Sequence, residues 1–245
     1  MKTIGINIDG VIRDSESKFD KQYRKVFIHN PSLVAMNDGD MTVREYTEEE
    51  LDEIDNKIKQ RESEFICLPM DSPNILNHYK FESQKIEMTV FNGDDDPHDN
   101  IELTPEQNFE KFMFEDYALQ IFAQAEEIDR ALECISKMQA IGADNNEFRV
   151  VLLSTCKKKA IPATYSFLAL KGCKIKGLVF VNEDYQKWDY CDVLIDVSPE
   201  ALQSKPQGKK SIKINTEYNK WDEANYSFDH VKNVCDKDFL KTIFE

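Results

Sequence analysis

The chain reads as an α/β protein: a parallel sheet flanked by helices on both faces, with a mainly helical segment inserted early. Three observations predict this. Short apolar runs alternate with amphipathic stretches through the second half of the chain. The first run, Thr3 to Ile8, stops abruptly at Asp9-Gly10. The stretch between about Asp14 and Asp116 breaks the alternation.

The opening residues, MKTIGINIDGVIRD, hold the first strand. Thr3 to Ile8 is Ile-rich and has the length of a strand buried on both faces; Asp9-Gly10 ends it with a carboxylate and a residue free to turn. Ser15 to His29 spaces Phe19, Tyr23 and Val26 or Phe27 as a helix would. From Asp38 to Ser63 the composition is strongly acidic. Here Thr47 and Glu50 form a capping-box pattern ahead of an apolar stripe, Leu51, Ile54 and Ile58. Lys85 to Phe91 reads as a short strand. The cluster after it, Asn92-Gly-Asp-Asp-Asp-Pro-His98, lacks the later Gly and terminal Glu of a calcium loop and reads as a solvated acidic turn.

Thr104 and Pro105 supply a cap and a first-turn proline. The aromatics that follow, Phe109, Phe112, Phe114, Tyr117 and Phe122, are expected to close the insertion onto the main domain. Glu126 to Gly142 is a helix with a glycine stop, and Phe148 to Leu153 a second buried strand leading into Ser154-Thr155. Ile161 to Lys171 is a helix ending at Gly172. Strands are predicted at Gly177 to Val181, Val193 to Asp196 and Ser211 to Asn215, with a last helix near Asp236 to Phe244.

Composition narrows the function classes. The chain has 245 residues, 41% of them hydrophobic, enough for a sizeable core. Lys and Arg total 31 against 46 Asp and Glu, a formal charge of −15, which argues against nucleic acid as the main partner. Six cysteines without CxxC spacing predict packed, reduced thiols rather than zinc sites or disulfides. No apolar run approaches the roughly 18 residues of a spanning helix, and no signal-like start is present, so a cytoplasmic location away from membranes is expected.

Chemistry-bearing residues gather at the ends of the apolar runs. The segment ending in Asn7-Ile-Asp9-Gly10-Val resembles the first motif of the haloacid dehalogenase (HAD) superfamily, hhhhDxDGV, in which the first Asp attacks phosphorus and the second is the general acid. Here Asn7 stands at the first position and Asp9 at the second. VVLLS, ending in Ser154, resembles the second motif, and the resemblance implies phosphate binding by Ser154, Thr155 and Gly10. The third motif is a Lys three residues before an aromatic-Leu pair. That position maps to Thr164 ahead of Phe167-Leu168, and Lys187 is a cation that another strand end could supply. In the fourth motif, DhhIDD, Asp192 and Asp196 match while Val197 stands where a metal-ligand Asp belongs. IKINTEYNKW, through Tyr218-Asn219, resembles the tail of the 5′(3′)-deoxyribonucleotidase branch, including proteins encoded by tailed bacteriophages.

The resemblance implies a Rossmann-like HAD core formed by residues 1–14 and 117–245, with residues 15–116 as an inserted cap subdomain. An amide cannot form an acyl-phosphate, and it is a poor ligand for a hard cation. The expectation is therefore a catalytically inactive protein, a structural or interaction component of a phage particle or phage–host complex. No cofactor is expected; Mg²⁺, if held, would fall to Asp9, Asp192 and Asp196. The expected partner is another protein, a second copy of the chain or a virion component, in the host cytoplasm or the virion. Two alternatives stay open: a Mg²⁺-dependent 5′-deoxyribonucleotidase with an atypical nucleophile, and a nucleotide or phosphate sensor.

Overall fold

The computed structural model describes residues 1–28, 79, 81, 84–88, 99–145 and 147–244. Six strands make one parallel sheet: β1 (Lys2–Asn7), β2 (Phe148–Ser154), β3 (Leu178–Phe180), β4 (Val193–Asp196), β5 (Lys210–Ile214) and β6 (Tyr226–Phe228). Their spatial order is β3-β2-β1-β4-β5-β6. From β1 the chain winds outward through β2 and β3, then returns to lay β4, β5 and β6 on the other side. The order reverses between β1 and β4, and the carboxyl end of such a switch point is where the connecting loops diverge and leave a crevice. Register sets what meets there: Asn7 lies opposite Leu153 of β2, and Ile6 opposite Ile195 of β4.

Side chains alternate between the faces of these strands, as a pleat requires. Ile4 and Ile6 of β1, Val150 and Leu152 of β2, and Val193 and Ile195 of β4 pack on one side with Ala131, Leu132, Ile135 and Met138. Val151, Leu153 and Leu194 point the other way, against Trp188, Cys191 and Ala201. Strands buried on both faces explain why the sequence shows unbroken apolar runs here. Gly5 sits on the second face, where a Cβ would lie 2.6 Å from Leu153 and 2.9 Å from Cys191.

The helices are α1 (Ser15–Tyr23), α2 (Pro105–Lys111), α3 (Ala131–Asn145), α4 (Ala160–Leu170), α5 (Pro199–Gln203) and α6 (Lys237–Thr242). Thr104 caps α2 as its sequence predicts, accepting from the Gln107 amide at 3.3 Å while the Gln107 side chain accepts from the Thr104 amide at 2.9 Å. The aromatics also fall where expected. Phe112 and Phe122 are buried with Phe19, Tyr23, Tyr79 and Phe81 in a cluster that reaches Ala160 and Ala163 of α4, and Phe109, Phe114 and Tyr117 pack against it. Many of these rings meet edge to face, the favoured geometry for aromatic quadrupoles.

Several sequence expectations are corrected. The helix expected from Glu126 begins at Ala131, because Glu126–Glu127 pairs antiparallel with Arg13–Asp14 and the backbone then turns through positive φ at Asp129 and Arg130. Gly142 is not its stop but lies inside α3, where a Cβ would meet the Phe148 carbonyl at 2.5 Å. Gly172, by contrast, follows α4 with φ +69°, the left-handed conformation of a helix stop. The strand expected at Lys85–Phe91 is Gln84–Met88, paired with Asp99–Leu103, which the sequence reading missed. It also missed α5, β6 and the 3₁₀ turns Asp184–Tyr190 and Val231–Cys235. The helix predicted after Thr47 and the acidic turn Asn92–His98 lie outside the described residues. The five described cysteines are free thiols, and among the described residues no helix is long and apolar enough to cross a membrane.

Overpacking a filled core costs about 1–3 kcal/mol. Gly5→Ala should therefore lower unfolding stability by that order, read from the denaturant midpoint; an unchanged midpoint would show that the β1 face has room.

Candidate functional site

The site is built by a tight turn at the end of β1. Ile8 accepts backbone hydrogen bonds from Ile12 and Arg13, both at 2.9 Å, and Gly10 donates to the Arg13 carbonyl at 2.9 Å. Gly10 takes φ +80°, and a Cβ there would lie 2.5 Å from Val197. This winding carries Arg13 back over Asp9, four residues earlier.

The guanidinium of Arg13 is fully buried and grips Asp9 with two donors, Nε to Oδ1 at 2.9 Å and Nη2 to Oδ2 at 3.0 Å. Its remaining hydrogens reach Thr164 Oγ1 at 2.9 Å, the Phe122 carbonyl at 3.3 Å and Cys156 Sγ at 3.3 Å. All five guanidinium N–H groups thus have an acceptor. The ring of Phe122 lies 4.8 Å away and that of Phe167 5.3 Å away. Burial works against the charge, but Asp9 and Cys156 outweigh it and raise the Arg13 pKa.

Asp9 is correspondingly occupied. Ser15 Oγ donates to Oδ1 at 2.6 Å, and Ser154 Oγ to Oδ2 at 3.4 Å. Ser154 in turn accepts from the Cys156 amide at 3.1 Å. Burial, with the Asp9 charge second, pushes the Cys156 thiol up to about 11, so it is a packed neutral group rather than a nucleophile.

The other predicted residues separate. Asn7 is 5% exposed, and its Nδ2 donates to the Asp9 carbonyl at 2.7 Å. Thr164 is buried beneath Arg13, its hydroxyl donating to Ala160 at 2.8 Å. The cation packed against that helix position therefore comes from the first loop. Lys187 does reach the end of β4, where it is fully buried between Asp196, at 2.8 Å, and Asp184. Burial opposes its charge, but the two carboxylates hold the Lys187 pKa above the ordinary lysine value. Asp196 spends its second oxygen on the amides of Val197, at 2.7 Å, and Ser198, at 3.0 Å. Asp192 is a correction: it accepts from the Thr3 amide at 2.8 Å, at the amino end of the sheet, and cannot join Asp9 and Asp196. Of the three residues expected to bind an anion, the Gly10 amide donates to the Arg13 carbonyl, the Ser154 hydroxyl lies 3.4 Å from Asp9 Oδ2, and Thr155 lines the cleft described next.

Above these groups lies a cleft of about 380 Å³. Asn7, Asp9, Thr155, Cys156, Asn182, Val197 and Ser198 line it together with Phe109, Met113, Phe114 and Phe122. Among the described residues, seven carboxylates line it, from Asp9, Glu16, Glu106, Glu110, Glu183, Asp184 and Glu200, with one ammonium, Lys157, paired with Glu110 at 3.3 Å. The next lysine, Lys158, is also clasped, by Glu115 at 2.5 Å.

Sequence reasoning missed Arg13 and Ser15, and singled out Asn219 only as part of a family likeness, with no role at the site. Asn219 is buried, donates to the Val197 and Ile214 carbonyls at 2.9 and 2.8 Å, and so joins the ends of β4 and β5. Tyr218 donates to Glu16 at 2.8 Å. The signal for Arg13 was a charged residue directly after Val-Ile in a stretch otherwise read as buried.

No family model matches the chain, and no curated protein matches it. Solved structures do resemble it across nearly its whole length. A haloacid dehalogenase-like family hydrolase from Streptococcus pneumoniae is 10% identical, with 96% of each chain covered and a TM-score of 0.50. A candidate β-phosphoglucomutase from Thermotoga maritima is 13% identical, covering 99% of this chain and 100% of that one, with a TM-score of 0.49. At such identity the likeness speaks for the fold alone, and the fold is HAD-like.

Removing one partner of a buried ion pair strands the other at about 3–5 kcal/mol. Lys187→Met should lower stability by that order in chemical denaturation; a loss below about 1 kcal/mol would mean the pair contributes little. Burial keeps the Cys156 thiol well above the usual cysteine range and away from reagent. Mass spectrometry after brief iodoacetamide treatment should find Cys173, which is partly exposed, labelled before Cys156; the reverse order would contradict the buried placement.

Proposed function

We propose that this HAD-like fold carries no phosphoryl-transfer activity and acts as a binding or structural component that engages a partner through its cleft. The observation that carries the reading is the state of Asp9, whose two oxygens are held by Arg13, Ser15 and Ser154. A general acid must present a proton to a leaving group within hydrogen-bond reach. Here both carboxylate oxygens are engaged by neighbouring side chains of the fold. Asn7, at the position of the attacking carboxylate, has no oxygen able to form an acyl-phosphate.

The residues do not fit Mg²⁺ either. That ion asks for near-octahedral oxygen ligands and is usually anchored by one or two carboxylates. Asp9 is taken by Arg13, Asp196 by Lys187 and two amides, and Asp192 lies at the other end of the sheet. Val197 offers no side-chain ligand, and among the described residues no cluster of three His, Cys, Asp or Glu could hold a metal. The carboxylate-lined cleft disfavours a free nucleotide or phosphate as ligand, since an anion would enter against the field of its walls.

The test is hydrolysis of p-nitrophenyl phosphate and deoxynucleoside 5′-monophosphates with Mg²⁺. The expected result is no turnover above buffer, in the native chain and in Asn7→Asp alike. Turnover abolished by Asp9→Ala would overturn the proposal in favour of an unusual nucleotidase.

A further inference from the structure

The chemistry of the cleft's occupant can be taken further, on the footing that the cleft binds rather than hydrolyses. Its negative charge is spread around the rim instead of converging, since no set of three metal-ligating side chains comes together among the described residues. A point cation such as Mg²⁺ needs convergence; an extended organic cation is suited by a distributed field. A second observation points the same way. Asn7 is 5% exposed and lines the cleft, and because its Nδ2 is bonded to the Asp9 carbonyl, the end left over is Oδ1, an acceptor with no partner among the described residues. Leaving a buried acceptor unmet costs about 1–3 kcal/mol, and ammonium and guanidinium groups are pure donors that would meet it. Phe109, Met113 and Phe114, in the same lining, offer apolar cover for a carbon chain and ring faces for a cation.

We propose that the cleft binds an organic cation bearing a primary ammonium or guanidinium group on an alkyl chain, with Asn7 Oδ1 and the Glu183 and Glu200 carboxylates facing the charge and the aromatic wall covering the chain. Burial, and then the charges of Asp184 and Glu183, raise the Glu200 pKa, the condition that a bound cation relieves. The same chemistry comes from two sources, a free polyamine or a Lys or Arg side chain of a protein, and the probes below separate them.

The experiment is isothermal titration calorimetry of the full chain with spermidine, with the blocked dipeptide acetyl-Lys-Arg-amide, and with dTMP as an anionic counterpart. One cation should bind per chain, more weakly as salt is raised. Tighter spermidine identifies a free polyamine as the ligand type, and a tighter dipeptide identifies a basic protein segment. Glu200→Gln, at an exposed position, should weaken binding about fivefold, roughly one Coulombic contact at a protein surface. Glu133→Gln makes the same change in charge far from the cleft and should leave affinity unchanged. Asn7→Leu should weaken binding further, with thermal unfolding followed by circular dichroism to confirm the fold; if that variant does not fold, Glu200→Gln decides. Failure of both cations to bind, equal loss in Glu133→Gln and Glu200→Gln, or preferential binding of dTMP would overturn the inference. Assaying the same samples for phosphatase turnover keeps the two readings apart, because activity would remove the proposed function whatever the calorimeter reports.

Discussion

The contact between Arg13 and Asp9 constrains everything else at the switch point of the sheet. A guanidinium cannot shed its proton and is costly to bury, so it must find an acceptor for each N–H and a counter-charge within reach. The turn from Ile8 to Arg13 provides both: it brings Asp9 under the fork and leaves the remaining donors to Thr164, Phe122 and Cys156. Phe122 belongs to the aromatic cluster, Thr164 to the helix after β2, and Asp9 to the central strand. One side chain therefore locks three parts of the fold together, and in doing so it engages both oxygens of Asp9.

A second buried pair repeats the pattern beside it. Lys187 is held between Asp184 and Asp196, and Asp196 caps the two amides that start the next turn. Arg13 and Lys187 are thus each neutralised by carboxylates of the fold itself. Among the described residues, carboxylates outnumber cations in the cleft lining, which is unlike a phosphate site. The switch point of the sheet accounts for where the cleft lies, and the residues account for what it can hold.

The sheet was legible because strands buried on both faces show as unbroken apolar runs, and five of the six could be read directly. β6 was not, since Tyr226–Phe228 is a three-residue edge strand with too few residues to show a period. Helix ends were read well where the cause was local, as at Thr104 and Gly172, and poorly where it was tertiary. Gly142 looked like a stop but is there to admit Phe148, and residues 126–130 looked helical but are drawn into a ribbon with Arg13–Asp14. In the site, Asn7, Asp9, Ser154 and Asp196 were found because they end strands. Asp192 fails because it begins one: four residues of strand separate it from the other end of the sheet. Arg13 was invisible because its role depends on a fold-back and on acceptors 109 to 151 residues away in sequence.

The most direct measurement is a double-mutant cycle on Asp9→Asn and Arg13→Met, read by chemical denaturation. If the ion pair holds the site together, the two losses will fall short of additivity by about 2–3 kcal/mol, the upper part of the range for residues in contact, since removing either partner already forfeits the interaction. Losses that simply add, with a coupling under about 0.5 kcal/mol, would mean that Asp9 stands free of Arg13 and remains available for chemistry.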